Sequence, residues 1–358
     1  ILNSQVDLML EALETDKPYP IRMGFYMASN PLSNTSMEPK RWHDALCKSL
    51  EFCIGIDLFM NASIQATCDI FLPIATIAER EGTVFTHYAP CTVTAGFMHK
   101  AVDCGGLPSD MELAYRLGKY LHPERFSKWA NEHELVEAFR LGVENHGETF
   151  DEVSKCVVAQ VPIEYYKYEK GLLRQDGQVG FATPTGRVEL WSTAYNQFGE
   201  DPLPYYEEPN YSQVSKPEFA GQYPLITTSG SRRYSSFHSE HRQVPSLRQI
   251  DPWPWVQINP ETAAEYGITK GDWVEVYNMF GSARFKAEIT FCMKPGIINC
   301  AHGWWFPEQD GEEPNLFGVW KSNFNSLVPH MNIGKLGFGA PYKGVMCNMR
   351  RVRGLNQD

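Results

Sequence analysis

Residues Trp255–Thr290, WVQINPETAAEYGITKGDWVEVYNMFGSARFKAEIT, give the clearest indication of the fold in the last part of the chain. Three of its segments, WVQIN, WVEVYNM and SARFKAEIT, alternate apolar and polar residues. In SARFKAEIT every second residue is apolar: Ala283, Phe285, Ala287 and Ile289. A period of two predicts strands with one face buried and one face exposed, which is typical of antiparallel sheets.

A short helix is predicted between the first two of these strands. Asn259 is a typical N-cap residue, Pro260 suits the first helical position, and Gly267 suits the end of the helix. A short helix between strands, followed by turns and more strands, predicts a compact β-barrel. We assign this barrel to residues 221–358.

Residues 1–125 have a different sequence pattern, in which short continuous apolar runs are separated by segments with helical spacing. The runs are Ile21–Pro31, Phe52–Asp57 and Asp69–Ile74. Runs of this kind predict a parallel sheet that is covered on both faces. The segment EPKRWHDALCKSLE, between the first two runs, has apolar residues at helical spacing.

Two more helices are predicted further along the chain. Ser109 and Glu112 form a capping box, after which Leu113, Leu117 and Leu121 recur every fourth residue. In NEHELVEAFRLGV, one helical face carries apolar residues: Leu135, Phe139 and Val143. Residues 126–220 are predicted to be a helical and irregular connection. Its end, Gly199–Glu218, is rich in proline and acidic residues, which indicates a surface segment.

The composition is that of a globular protein with two or three domains. The chain has 358 residues, of which 43% are hydrophobic and 21% charged. A formal net charge of −11 speaks against nucleic-acid binding by the whole surface, so any anion site must be local. There is no apolar run long enough for a membrane span, and the nine cysteines form no CxxC pair. Without an initiator Met or a targeting signal, we expect a processed chain or fragment, and cytoplasm and periplasm both stay open.

Such a local site is indicated by Thr227–Arg242, TTSGSRRYSSFHSEHR, which follows an apolar run. Its arginines present planar forks of donors that match phosphate oxygens, and Gly230 lets the backbone approach a ligand closely. The sequence alone leaves two interpretations open. The stretch is either a phosphate site or a solvated basic loop paired with the acids of residues 200–218.

Three further places carry candidate chemistry. In Asn299–Glu308, NCAHGWWFPE, two tryptophans beside His302 and Gly303 either wall a heterocyclic cofactor or belong to the core. Asp57 and Asn30 follow predicted strands, where they either read guanine or serve turns and helix caps. Glu79 is either catalytic or a loop cap. The chain lacks GxGxxG, GxxxxGK[ST], GxSxG and HExxH patterns, so a conventional nucleotide or hydrolase site is poorly supported.

Taken in order, the motifs resemble the C-terminal half of the DMSO-reductase family of molybdopterin oxidoreductases. The series is NPL (30–32), IDLFMNASIQATCDIFLPIATIAEREG (56–82), TPTGRVELWS (183–192), the basic stretch, INPETAAEYGITKGDWVEVYNMFG (258–281), KPGIINCAHGWWFPE (294–308), SNFNSL (322–327) and YKGVMCNMRRV (342–352). Each motif is weak by itself, whereas the ordered series is specific and covers nearly the whole chain.

The resemblance implies a fold and a cofactor. Residues 1–125 would be part of a doubly wound parallel-sheet domain, and 221–358 a six-stranded, double-psi-like barrel. Together they would hold molybdenum bis(molybdopterin guanine dinucleotide), abbreviated bis-MGD. The family's cofactor contacts would fall on Asn30, Asp57, Ser229, Gly230, Arg232, Arg233, His238, Ser239, Arg242, His302, Gly303, Trp304, Asn325, Lys343 and Gly344.

The resemblance also implies partners, because the family's N-terminal iron–sulfur motif and molybdenum-ligand segment are not in this sequence. We therefore expect N-terminal domains of the same enzyme, an iron–sulfur electron-transfer subunit, and an iron–sulfur cluster only if those domains carry its ligands. No catalytic residue or metal ligand is assigned within the chain. As a fragment it would expose faces that favour oligomers.

Two other functions stay open at this point. One is redox-neutral chemistry, a hydratase or transhydroxylase reaction, on the same cofactor. The versions HSEHR and HGWWFPE resemble the branch of the family that contains such enzymes. The other is a non-catalytic barrel that binds a protein through the tryptophans and the basic tail.

Overall fold

A computed structural model describes residues 6–86, 92–103, 105–131, 155, 158–162, 164–230, 232–330 and 342–353. The predicted helical face of Leu135, Phe139 and Val143 lies outside these residues. Contacts divide the chain into two compact units, Ile1–Phe71 with Thr193–Asp358, and Leu72–Ser192.

The described strands are β1 (Met23–Met27), β2 (Phe52–Asp57), β3 (Ile70–Pro73), β4 (Gly82–Thr86), β5 (Thr92–Met98), β6 (Val158–Pro162), β7 (Leu225–Ser229), β8 (Trp255–Ile258), β9 (Trp273–Tyr277), β10 (Ser282–Ile289), β11 (Ile297–Cys300) and β12 (Val345–Arg351). The described helices are α1 (Val6–Thr15), α2 (Pro31–Asn34), α3 (Pro39–Ser49), α4 (Ala62–Thr67), α5 (Asp110–Leu121), α6 (Pro123–Phe126), α7 (Thr193–Gln197), α8 (Pro245–Ile250), α9 (Pro260–Glu265) and α10 (Val319–Ser322). Short 3-10 turns occur at Ile77–Glu79, Pro217–Phe219, Leu316–Gly318 and Phe324–Leu327.

The predicted barrel is confirmed as a closed, six-stranded barrel with the order β10-β8-β11-β7-β12-β9. Its core contains the alternating residues Ala283, Phe285 and Ala287, which are at most 2% exposed. The prediction of antiparallel pairing is only partly right, because β10 pairs antiparallel with β9 but parallel with β8, and β11 pairs parallel with β7. Alternation reports that one face of a strand is buried and carries no information about the direction of its neighbours.

The same unit contains the predicted parallel sheet, with the order β1-β2-β3. The prediction that both faces are covered is wrong for β1, because Met23, Phe25 and Met27 on one of its faces are 47–50% exposed. β1 and β2 pair parallel, with Met23 opposite Phe52 and Met27 opposite Ile56. Trp42 and Leu46 of α3 are buried against this sheet, together with Ile64 of α4 and Trp305 from the barrel part of the chain. The two sequence segments therefore share one core, which holds the ends of β1 and β2 in place.

In the second unit, helix α5 begins where the capping box predicts, and Ser109 Oγ accepts a hydrogen bond from Glu112 N at 3.0 Å. Its predicted leucine face is not the buried one. Leu117 and Leu121 are 44% and 58% exposed, whereas Tyr115 is buried and donates to Trp129 O at 3.0 Å. Tyr115 reaches the residues after α6 because its hydroxyl extends beyond a leucine side chain and needs an acceptor when buried.

Other features of this unit concern loops and pairing. Glu79 accepts from the backbone N–H and the hydroxyl of Thr76, so the loop-cap interpretation is correct. β4, β5 and β6 form an antiparallel sheet that the apolar runs of residues 1–125 did not predict. Among the residues that the structure describes, no helix is both long and apolar enough to cross a bilayer.

Helix α9 is capped as predicted, and the cap can be tested. The Asn259 side chain accepts from Glu261 N at 2.9 Å and donates to Met293 O at 2.8 Å. We expect Asn259→Ala to lower the free energy of unfolding by about 1–2 kcal/mol, because it removes a helix cap and leaves a carbonyl without its donor.

Urea unfolding followed by circular dichroism measures this effect. Asn259→Ser is the matched control, since Ser keeps a capping acceptor and loses the amide donor to Met293 O. An Ala variant as stable as the wild type, or a Ser variant less stable than the Ala variant, contradicts the assignment.

Candidate functional site

The candidate site lies at one end of the barrel, where two parallel strands finish side by side. Ser229, the last residue of β7, pairs with Cys300, the last residue of β11. The basic stretch and the HGWW segment therefore leave the barrel at the same edge. Gly344 N donates to Thr227 O at 2.9 Å, which brings the start of β12 to this edge as well. Gly230 has φ +147 and open space where a Cβ would point, a backbone that favours glycine.

Arg242 is the central residue of the site, although it is only 3% exposed. Its Nε and Nη2 donate to Gly303 O at 3.2 and 3.0 Å, and Nη2 also donates to His238 O at 3.0 Å. Burial lowers the pKa of Arg242 to about 9, which still leaves the guanidinium charged at neutral pH. Arg242 thus ties the basic stretch to the HGWW segment from the inside.

Two histidines meet above this arginine. His238 Nδ1 lies 2.9 Å from His302 Nε2, a hydrogen bond in which one ring donates and the other accepts. Burial, and then the charges of His238, Arg242 and Arg232, lower the pKa of His302 to about 4. His302 is therefore neutral at pH 7 and can hold a proton on only one ring nitrogen.

The neighbouring arginines are less buried. Arg233 Nη2 lies 3.1 Å from a Glu288 carboxylate oxygen, and its guanidinium stacks 4.5 Å from the Trp255 ring centroid. Glu288 belongs to β10, so the acidic partner comes from the barrel and not from residues 200–218. Arg232 is exposed and lies 4.8 Å from the Phe237 ring centroid. Its charge faces outward from the same edge.

The two tryptophans belong to the core, which favours the second of the two interpretations. Trp304 is 1% exposed and Trp305 is fully buried. The Arg242 guanidinium lies 3.9 Å from the Trp304 ring centroid, and Trp305 Nε1 donates to Ser239 O at 3.0 Å. The rings therefore support the basic stretch from beneath.

Residues of the first segment reach the same place through α2. Gly303 has φ +62, and a Cβ there would lie 2.7 Å from His238 O and 3.2 Å from Asn34 Oδ1. Asn325 Nδ2 donates to Asn34 O at 2.9 Å. The close approach of three backbone segments requires a glycine at position 303 and orders Asn325 beside it.

The residues predicted to contact guanine, Asn30 and Asp57, lie at the ends of β1 and β2. Asn30 Oδ1 accepts from Ser63 Oγ at 2.7 Å, and its Nδ2 is buried. Asp57 accepts from Leu58 N and Asn61 Nδ2, so its described contacts are those of a turn. Burial, with a smaller effect from the charge of Glu240 in the basic stretch, raises the pKa of Asp57. The strand ends and the basic stretch are thus within electrostatic range of each other. Lys343 is exposed.

Two site residues were not predicted from the sequence. Asp251 lines a small cleft together with His238 and His302. Burial raises the pKa of Asp251, and the charges of Arg233, Arg242 and Arg248 oppose this rise. Arg248 stacks 5.1 Å from the Trp304 ring centroid and pairs with Glu308 at 3.0 Å. An aspartate before a proline is typical of a turn, so no local signal distinguishes Asp251.

Unpartnered polar atoms show what the site could bind. Among the residues that the structure describes, Arg242 Nη1, Trp304 Nε1 and Asn30 Nδ2 are buried donors without an acceptor, and Asp251 Oδ2 is a buried acceptor without a donor. Buried donors of this kind normally have partners, so a ligand or water that offers oxygen atoms fits here. Within the described part of the chain, no cluster of three or more His, Cys, Asp or Glu side chains could hold a metal ion.

The space at this edge is small. The cleft lined by Arg233, His238, Arg242, Asp251 and His302 encloses about 10 Å³, room for no more than a water molecule. A larger ligand would therefore lie across the loops, with the cleft as its floor. A groove of about 730 Å³ runs along α3 and past Trp320, and its lining contains none of the predicted residues.

Comparison with known proteins matches residues 225–346 to the molydopterin dinucleotide binding domain. Acetylene hydratase of Syntrophotalea acetylenica is 31% identical over 85% of this chain and 40% of that protein. Dopamine dehydroxylase of Eggerthella lenta is 30% identical over 89% of this chain and 37% of that protein. The dimethyl sulfoxide reductase DmsA of Escherichia coli is 28% identical over 80% and 37%.

The solved structure of acetylene hydratase from Pelobacter acetylenicus superposes with a TM-score of 0.82 at 26% identity. The matched residues make up 96% of this chain and 46% of the acetylene hydratase chain. The chain thus spans less than half of the length of these relatives.

Proposed function

Because this chain belongs to the DMSO-reductase family of molybdopterin oxidoreductases, we propose that the loops after β7 and β11 bind the molybdenum bis-MGD cofactor of a longer enzyme. The observation that carries the proposal is the convergence of Arg242, His238, His302 and Gly303 at the ends of two parallel strands.

The residues at this edge fit such a cofactor chemically. Pyrophosphates and pterin oxygens are acceptors, and the unpartnered buried donors Arg242 Nη1 and Trp304 Nε1 would reach them through a water in the cleft. The exposed Arg232 and Lys343 add positive charge at the surface of an otherwise acidic protein. When bound, the molybdenum would supply two-electron or oxygen-atom chemistry.

We propose that the chain's own residues bind and orient this group. Arg232 and Arg233 neutralise phosphate, and His238 donates to a pterin from a ring whose orientation the hydrogen bond to His302 fixes. Arg242 holds the two loops in register from beneath, with Trp304 behind it. The remaining contacts fall on Asn30, Asp57, Ser229, Gly230, Ser239, Gly303, Asn325, Lys343 and Gly344.

The barrel's mixture of two parallel pairs with antiparallel neighbours supports a double-psi topology, which we propose for residues 221–358. We propose residues 1–125 as part of the doubly wound domain that takes a guanosine moiety, and residues 126–220 as the connection. The greater length of the relatives supports further domains of the same enzyme as the partner of this chain. An iron–sulfur cluster and an iron–sulfur subunit stay proposals for that longer enzyme.

Redox-neutral chemistry is the second candidate, and the similarity to acetylene hydratase favours it. The two candidates differ in whether substrate turnover moves electrons. An enzyme that converts substrate with no external donor or acceptor supports a hydratase or transhydroxylase, whereas dependence on a redox dye supports an oxidoreductase.

The cofactor role is tested by replacing Arg232 and Arg233 with Ala in the full-length enzyme. We expect the double variant to lose most of its molybdenum and guanine, because it removes two cations from the edge where the anionic cofactor would lie. Metal analysis and chromatography of released guanine measure the loading.

The matched control is Lys270→Ala with Lys294→Ala. It removes two exposed cations that precede β9 and β11, at the other end of the barrel. A normal molybdenum and guanine content in the Arg232/Arg233 variant, or an equal loss of both in the control, would contradict the assignment.

A further inference from the structure

Two thiols outside the candidate site face each other in the α/β part of the chain. Cys53 lies on β2 and Cys68 follows the last residue of α4, with their Sγ atoms 3.4 Å apart. We propose that this pair is a site of reversible oxidation, which forms a Cys53–Cys68 disulfide when the protein meets a low-molecular-weight disulfide. This inference does not depend on the cofactor proposal.

The backbone already holds the two cysteines in place. Asp69 N donates to Cys53 O at 2.9 Å, and Cys53 N donates to Asp69 Oδ2 at 2.8 Å. Gly24 on β1 leaves room for the sulfur, because a Cβ at that position would lie 3.1 Å from Cys53 Sγ. A disulfide bond is about 2.0 Å long, so the two sulfurs need to approach by about 1.4 Å, within reach of side-chain rotation.

The two thiols differ in access and acidity. Cys53 is 1% exposed, whereas Cys68 is partly exposed, so a dissolved reagent reaches Cys68 first. The hydrogen bond from the Cys68 thiol lowers the pKa of Cys53 and raises the pKa of Cys68. Cys53 is therefore the thiol that is set up to attack as a thiolate from inside.

The reaction is a thiol–disulfide exchange in two steps. Cys68 passes its proton to the Cys53 thiolate 3.4 Å away as its sulfur attacks one sulfur of the reagent RSSR, which forms a mixed disulfide on Cys68 and releases RS⁻. RS⁻ then takes up that proton from Cys53, which restores the Cys53 thiolate. The Cys53 thiolate then attacks the Cys68 sulfur, forms the Cys53–Cys68 bond and releases a second thiol. The protein loses two electrons and two protons, and RSSR is reduced to two RSH.

The bond would tie the start of β2 to the end of α4. Between them lie Asp57 and Asn61, whose side chains hydrogen-bond to each other at 3.0 Å. Asn61 also accepts from Ser63 N and Ile64 N as the cap of α4. Oxidation is thus expected to restrain the segment that carries the predicted guanosine contact and to slow amide exchange there.

The experiment uses the purified full chain, exposed under native conditions to oxidised glutathione until the exposed Cys292 is modified. Remaining thiols are then blocked with N-ethylmaleimide, and non-reduced peptides are analysed by mass spectrometry. We expect a cross-linked peptide pair that contains Cys53 and Cys68 and is lighter by two hydrogen atoms, and we expect dithiothreitol to separate it. Cys292 should carry glutathione alone.

Two variants test the order of events. In Cys53→Ser, Cys68 should keep its glutathione, and in Cys68→Ser, Cys53 should stay unmodified because it is buried. The proposal is overturned if wild-type Cys68 keeps glutathione while Cys53 is free, if Cys68 pairs with Cys47 instead, or if both thiols stay reduced once Cys292 is modified.

Discussion

Replacing Arg242 by Met is expected to lower the free energy of unfolding by about 3 kcal/mol. Arg242 donates to Gly303 O and His238 O inside the protein, and Met removes these donors while keeping much of the apolar volume against Trp304. Each buried carbonyl left unpaired costs about 1–3 kcal/mol. Burial of the charged guanidinium is unfavourable and lowers the pKa of Arg242 to about 9. Because Met carries no charge, the substitution removes this unfavourable burial and offsets part of the loss.

Urea unfolding followed by tryptophan fluorescence measures the effect. Arg248→Met is the matched control, because Arg248 also lies over Trp304 but pairs with Glu308, whose side chain is 55% exposed. We expect a loss below about 1 kcal/mol there. Arg242→Lys keeps the charge without the planar fork and should fall between the wild type and Arg242→Met. A Met variant as stable as the wild type would show that Arg242 does not hold the loops together.

The second large effect concerns acid. His302 has its pKa lowered to about 4, chiefly by burial, whereas the unfolded chain takes up this proton near pH 6.5. Between these values the unfolded state binds more protons than the folded state, so stability falls as the pH is lowered through this window. We expect His302 to contribute about 3 kcal/mol of lost stability between pH 7 and pH 4.

The contribution is isolated by comparing wild type with His302→Gln, which keeps an amide near the position of Nε2 but does not titrate. The stability of the variant relative to the wild type should rise by about 3 kcal/mol from pH 7 to pH 4. His122→Gln, at a side chain that is 57% exposed, is the control and should follow the wild-type curve. Parallel curves for wild type and His302→Gln would mean that His302 takes up its proton equally well in both states.

Much of the architecture was predictable because it rests on local signals. The alternation around Phe285, the cap at Asn259 and the runs at β1 and β2 each reflect a preference of a short segment, and all are confirmed. The order of the motifs indicated the family, and the matched domain and the relatives support this assignment. The leucine row of α5 shows the limit of such signals, since a helical period does not say which face finds a partner.

The site was predictable only as a set of separate candidates. The sequence indicated that Arg242, His238 and His302 belong to a ligand-binding site. For each residue it also left open another role, either as part of the core or as a solvated side chain. The parallel pairing of β7 with β11 resolves these alternatives, because it brings two loops far apart in the chain to one edge. It buries Arg242 and leaves Arg232 exposed within one basic stretch.

The strands and helix caps could be predicted because they depend on neighbours along the chain, and the order of the motifs indicated the family. Four features became visible only when the chain was folded: Arg242 connects two loops inside the protein, two histidines share a hydrogen bond, Asp251 belongs to the site, and Cys53 faces Cys68. Each of these is a contact between separate elements, and burial and charge at such contacts depend on which elements pack together, which no local pattern encodes.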